Sequence, residues 1–346
     1  MVRAMARELE LRKLEIGETP VQTIYFGGGT PSLLQEGELA LLFNTIFENY
    51  PLAPALEITL EANPDDLTDA HLKMFRDAGV NRLSIGIQSF HERDLKLMNR
   101  AHNAREAEAC LHLARQYFEN ISIDLIYGIP DLSMDEWEEN LQKALSFRLP
   151  HISSYALTVE PGTALKRFIE KQVVPPVDDE AAEAHFRRMT ELLGQEGYVQ
   201  YELSNFGQPG YYSQNNTAYW QGKPYLGIGP SAHSYDGRRR RWNLRNNPKY
   251  LKALREDILP FEEEVLTQKD RYNEYIMTGL RTIWGVSLKR VRDEFGLKFY
   301  EYLLRQAQRH LDQELIRREE DTLYVTPGGK FLTDGIASDL FMIGPG

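Results

Sequence analysis

Four polar positions in the first half of the chain each come at the end of, or inside, a short apolar run. Thr30 follows Thr23-Ile24-Tyr25-Phe26 and three consecutive glycines, Glu61 follows the run 56–60, Gln88 follows 82–87, and Asp124 lies inside 121–126. A carboxylate accepts hydrogen bonds from an ammonium group or a diol, an amide both donates and accepts, and the N–H groups of a glycine turn meet anionic groups. Residues of these types held together would line a ligand site. Taken singly, each reads equally well as a helix cap or a turn residue.

The elements that must hold them alternate. Runs 21–26, 56–60, 82–87, 121–126 and 151–157 are rich in β-branched and aromatic residues and predict strands. Between them, 36–49, 68–78, 92–99, 104–117 and the segment after Ser133 predict helices. Ser133 with Glu136 has the spacing of a capping box. The first helix covers 1–16. A strand–helix period of about 30 residues predicts parallel βαβ units with right-handed crossovers. The polar residues sit at strand C-termini, which favours a barrel over an open doubly wound sheet, because barrel strands bring those ends to one face.

The chain carries 51 Asp and Glu against 40 Lys and Arg, a formal net charge of −11, which argues against a nucleic-acid coat. No apolar run approaches the roughly 18 residues of a membrane span, and the start lacks an apolar leader core, so a cytoplasmic location is expected. The barrel pattern is expected over 1–160, a barrel completion and insert over 161–262, and a separate small domain over 263–346. Asp236-Gly237 is a hairpin signal. Helices 268–283, 287–294 and 298–313, two strands near 315–326 and a helix 329–340 predict a winged-helix-like domain. Its recognition helix mixes Arg305 and Arg309 with Glu301 and Asp312, which suits protein docking better than phosphate binding.

The segments YFGGGTPSLL, TLEANPDDL, GVNRLSIGIQSF, LMNRAH, ISIDLIYGIP, LTVEPGT, NNTAYW and YLGIGPSAHSY resemble, in order, the oxygen-independent coproporphyrinogen III oxidase-like radical SAM proteins, and most of all their heme-chaperone (HemW) branch. The resemblance spans nearly the whole chain. It implies a partial (β/α)6 TIM-like barrel, here without its first strand, and a small C-terminal helical domain. It also implies S-adenosyl-L-methionine (SAM) at Gly28, Gly29, Thr30, Glu61, Gln88, Arg100 and Asp124. That assignment is chemically sound, since the methionine end of SAM needs a carboxylate for its ammonium and a guanidinium for its carboxylate. Arg100 also reads as a helix-end cation.

The heme signature of that branch runs His-Asn-x-x-Tyr-Trp. Here it is Asn215-Asn216-Thr217-Ala218-Tyr219-Trp220, with asparagine at the histidine position. Histidine is a usual heme iron ligand and asparagine is not. Tyr219 and Trp220 either stack on a macrocycle or pack in a core. His233 is either a substitute ligand or a hydrogen-bonded core residue. Arg238, Arg239, Arg240 and Arg241 either meet porphyrin propionates or form a solvated face.

The family also places a Cys-x3-Cys-x2-Cys loop ahead of the helix that here begins at Met1, and its thiolates hold a [4Fe–4S] cluster. This sequence has one cysteine, Cys110, at a position that matches no family ligand. The chain therefore reads as a truncated or a degenerate family member. Truncation is preferred, because loss of the first strand leaves the 23–26 strand with an open edge. Without the cluster no electron reaches SAM, so no catalytic residue and no metal ligand is assigned. Three functions remain open: a heme chaperone serving an acceptor protein at a membrane, an enzyme of porphyrin biosynthesis, and a pseudoenzyme that only binds SAM. A homodimer is also open.

Overall fold

Polar and apolar residues alternate along the first strands, and this alternation shapes the main sheet. The computed structural model describes residues 1–344. Seven strands form one sheet: β1 (Val21–Phe26), β2 (Leu52–Ala62), β3 (Arg82–Gln88), β4 (Ile121–Tyr127), β5 (His151–Ala156), β6 (Val199–Glu202) and β7 (Asn205–Gly207). Their order is β1-β2-β3-β4-β5-β7-β6. β2 to β5 run parallel, as the βαβ pattern requires, and β7 and β6 close the series as an antiparallel pair. This α/β sheet is the partial TIM-like barrel expected from the sequence. The closing pair was not legible, because strands of three and four residues are too short to show a period.

Chain contacts divide the molecule into two compact units. One holds Gln22–Glu36 and Ala55–Tyr212; the other holds Met1–Val21, Gly37–Pro54 and Ser213–Gly346. In the first, Leu83, Ile85 and Ile87 of β3 and Ile121, Ile123 and Leu125 of β4 are fully buried. The intervening residues put Ser84 level with Glu61 on one side and Ser122 on the other, and Asp124 level with Ser153. One sheet face is thus apolar and packed, and the other carries polar side chains. Thr68 caps the next helix by accepting from the His71 N–H, and Asn103/Glu106 and Ser133/Glu136 form capping boxes.

In the second unit, β8 (His233–Tyr235), β9 (Arg239–Asn243) and β10 (Phe261–Val265) form a three-stranded antiparallel sheet around the expected Asp236-Gly237 turn. β10 has no legible strand pattern in Glu262-Glu263-Glu264; Glu263 and Glu264 face Arg241 and Arg240 of β9, and Glu262 faces Trp242. The winged-helix-like region gathers Tyr272, Ile276, Leu303, Leu323 and Ile336 into one core. Its sheet has three strands rather than two, since β11 (Val286–Ser287) joins β12 (Ile316–Glu319) and β13 (Thr322–Val325). The expected helix 287–294 is one short α-helical turn, Leu288–Arg290, followed by a π-helical turn, Val291–Phe295. No helix among the described residues is long and apolar enough to cross a membrane.

Candidate functional site

Within the first unit, the glycine turn and Glu61 form one cluster. The Tyr25 hydroxyl donates to Glu61 Oε1 at 2.7 Å, and the Gly28 N–H donates to Glu61 Oε2 at 3.2 Å. Gly27 makes this possible, because a Cβ there would stand 2.6 Å from the Tyr25 ring and 2.9 Å from Glu61 Oε1. Gly28 and Gly29 serve differently: both have positive φ, +70° and +75°, with open space where a Cβ would stand. Thr30 lies four residues beyond the end of β1 and is exposed, and its hydroxyl does not cap the turn that follows. A carboxylate has about four lone-pair positions, so Glu61 keeps acceptor capacity for a ligand ammonium or diol.

A second cluster surrounds Arg100. Its Nη2 donates to Asn63 Oδ1 at 2.9 Å and to the Gly86 carbonyl at 3.3 Å, while its buried Nε has no hydrogen-bond partner. Gln88 sits at a register shift between β3 and β4 with φ +67°, a strained value for a residue with a side chain. A Cβ at Gly86 would stand 2.8 Å from Gln88 Nε2 and 3.3 Å from Arg100 Nη2. Gly86 therefore brings Gln88 and Arg100 to one place. Tyr25, Asn63 and Gly86 escaped the sequence reading, although all three lie in the segments that carried the resemblance.

Asp124 is in the middle of β4 rather than at its end. Burial pushes its carboxyl up to about 6, with the Glu61 carboxylate pressing the same way, while Arg82, Ser153 and Ser84 partly offset both. Beyond it the polar face continues. Ser122 Oγ is 2.7 Å from His151 Nδ1, His151 Nε2 is 2.8 Å from the Tyr201 hydroxyl, and Ser153 Oγ donates to Asn205 Oδ1 at 2.7 Å. Burial holds His151 well below the usual imidazole value, so it is neutral. The only advance signal of this network was polar residues alternating with apolar ones along β4 and β5.

The raised Asp124 value makes a prediction about stability. A protonated carboxyl favours the folded state, so this contribution is full below the unfolded value of 3.8 and is lost as pH rises through about 6. Over that window the term falls by on the order of 2 kcal/mol. Asp124→Asn should flatten this part of the curve in denaturant unfolding at graded pH. An unchanged slope would contradict the assignment.

The remaining positions belong to the second unit. Asn215 is buried in the helix Gln214–Trp220 and hydrogen-bonds the Tyr219 hydroxyl. The Asn216 N–H donates to the capping Ser213 Oγ at 3.2 Å. The Arg281 guanidinium lies over the Trp220 ring, 5.3 Å from its centre. Tyr219 is 44% exposed and meets Tyr225 edge-on at 4.5 Å, and Tyr225 lies 6.2 Å from Tyr235. His233 is exposed, pairs across the sheet with Trp242 and has its ring 6.3 Å from the indole. It is not a core histidine. Two of the four arginines are engaged: Arg240 with Glu264 and Glu274, and Arg241 with Glu263 and Glu15. For these two the cross-strand acids displace the propionate reading.

Among the described residues no group of three His, Cys, Asp or Glu is arranged to hold a metal ion. Cys110 is buried, and its thiol is pushed up to about 12 by burial, which makes it an inert core residue. Three thiolates for an iron–sulfur cluster are not supplied by residues 1–346. At the positions expected for SAM, Arg100 has a buried nitrogen without a hydrogen-bond partner, and Glu61 keeps acceptor capacity beyond its bonds to Tyr25 and Gly28.

Residues 2–144 match the radical SAM superfamily, and residues 266–332 match the HemN C-terminal domain. The heme chaperone HemW of Lactococcus lactis is 34% identical over 338 residues, covering 94% of this chain and 88% of that protein. HemW of Bacillus subtilis is 33% identical over 335 residues, covering 95% and 88%. The solved structure of Escherichia coli HemN, a coproporphyrinogen III oxidase described as a radical SAM enzyme, superposes with a TM-score of 0.84 at 23% identity. It covers 98% of this chain and 82% of that one, and supports the fold.

Proposed function

The chain belongs to the radical SAM family that contains the heme chaperone HemW, and from that premise we propose that it binds heme and SAM and delivers heme to an acceptor protein. The observation that carries the heme reading is an exposed histidine on an aromatic strand face. His233 and Tyr235 of β8 stand opposite Trp242 and Arg240 of β9, with Tyr225 beside Tyr235 and Tyr219 beside Tyr225. Flat aromatic surface suits a macrocycle, and an exposed imidazole suits its iron. His233 takes the ligand role that Asn215, held by Tyr219, does not fill.

Heme bound here would supply an iron centre, and the His233 imidazole would be the residue that holds it. In the other unit, Glu61 would receive the SAM ammonium or ribose hydroxyls and Arg100 its carboxylate. The Gly28 and Gly29 backbone, Thr30 and Gln88 would complete the pocket, and Asp124 would add a second acid. No reductive step is assigned to residues 1–346. Delivery is assigned to the cytoplasmic face of a membrane, where the acceptor would reside.

Hemin titration followed at the Soret band tests this reading. The wild-type chain should shift the band, and His233→Ala should bind at least about tenfold more weakly, the loss of one metal–imidazole bond. Asn215→His should leave the His233-dependent spectrum in place. No wild-type shift, or an identical one in His233→Ala, overturns the proposal.

A further inference from the structure

The strands that carry His233 and Trp242 are fastened from behind by a buried ion pair on the N-terminal helix, Val2–Arg12. Glu8 and Arg12 are 0% and 1% exposed and lie 3.0 Å apart. Both Glu8 oxygens are engaged. Oε1 accepts from Arg12 and from Asn243 Nδ2 at 2.7 Å, and Oε2 accepts from the Gly229 N–H at 2.9 Å and the Tyr250 hydroxyl at 2.5 Å. Arg12 spreads its fork over Glu15, the Gly227 carbonyl at 2.9 Å and Ser234 Oγ at 3.0 Å. Ser234 Oγ also accepts from the Gly227 N–H at 3.0 Å.

The contacted residues are the immediate neighbours of the heme-facing ones. Ser234 lies between His233 and Tyr235, and Asn243 follows Trp242. Side chains alternate along a strand, so when Ser234 points inward to Arg12, His233 points outward. A helix needs no internal pair of buried charges to pack, and a buried pair is weak evidence of stability in itself. What this pair provides is direction, because a planar guanidinium binds in fixed geometry and here selects the Ser234 hydroxyl and the Gly227 carbonyl together.

We propose that Glu8 and Arg12 are positioning residues that set the orientation of His233 as an iron ligand, acting through Ser234 and the Gly227 backbone. The proposal rests on the heme reading above and adds a coupling to it: a displacement of the N-terminal helix changes the heme ligand field without touching heme.

The test compares hemin spectra and thermal melts of the wild-type chain with those of Ser234→Ala, Arg12→Lys and His233→Ala. Ser234→Ala removes the side-chain half of the link and leaves the Arg12–Gly227 bond and the Glu8–Arg12 pair in place, so it is expected to fold even where Arg12→Lys does not. The expected result is a Ser234→Ala chain with a cooperative melt, a Soret maximum moved towards that of His233→Ala, and about fivefold weaker hemin binding, the worth of one lost hydrogen bond. Arg12→Lys, which keeps the charge and loses the fork, should move the band in the same direction. A wild-type shift that His233→Ala abolishes and that Ser234→Ala and Arg12→Lys, whichever of them fold, preserve overturns the positioning role alone. A wild-type chain with no shift overturns the heme reading and this role with it.

Discussion

Glu61→Ala is expected to weaken SAM binding about 100-fold or more, measured by titration calorimetry. Two effects act together. A charge-assisted acceptor for the ligand ammonium or diol is lost, worth roughly 2–3 kcal/mol. The Tyr25 hydroxyl and the Gly28 N–H also lose the acceptor that fixes the glycine turn. Glu61→Gln separates the two, because its amide oxygen still accepts from the turn while the charge is gone. A large loss in the alanine variant with near-normal binding in the glutamine variant assigns the effect to turn geometry. Alanine binding within about threefold of wild type removes Glu61 from the site altogether.

Gly227→Ala is expected to cost roughly 3 kcal/mol or more in denaturant unfolding, above the usual overpacking penalty. A Cβ at this position would lie 1.9 Å from the His233 carbonyl oxygen and within 3 Å of two further backbone atoms of His233. Backbone on a paired strand cannot rotate away as a side-chain tip can. The strand carrying His233 would therefore shift, and hemin binding should weaken with stability. Gly37→Ala is the control. It lies in the helix Glu36–Asn49 with nothing within 4 Å, so alanine there should be neutral or stabilising by up to about 1 kcal/mol. Equal effects at the two positions would contradict the close approach.

The sequence by itself determined most of the framework. β1 spans the residues read for it, β3 and β4 extend one residue beyond theirs, and the Ser133 capping box forms as spaced. These signals are local: apolar runs, caps and glycine stops act within a few residues. The ordered motifs identified the family, since eight segments in sequence are far more specific than any one of them. Glu61 and the glycine turn were also legible as partners, because strand ends of parallel βαβ units meet on one face.

Only the tertiary structure decided which residue does what within that frame. Gly27, Gly28 and Gly29 read alike in sequence. One is required by the packing of Tyr25 on Glu61, and the other two by positive φ. His233 could have been core or surface, and burial is a property of neighbours that come from elsewhere in the chain. Arg240 and Arg241 were available for a ligand until β10, unreadable as a strand, placed Glu264 and Glu263 opposite them. The Glu8–Arg12 pair joins residues more than 200 positions apart in the chain. Contacts that distant leave no periodic trace. Burial of both excludes competing water, and that is what turns an ordinary i, i+4 pair on a surface-like helix into the anchor of a strand.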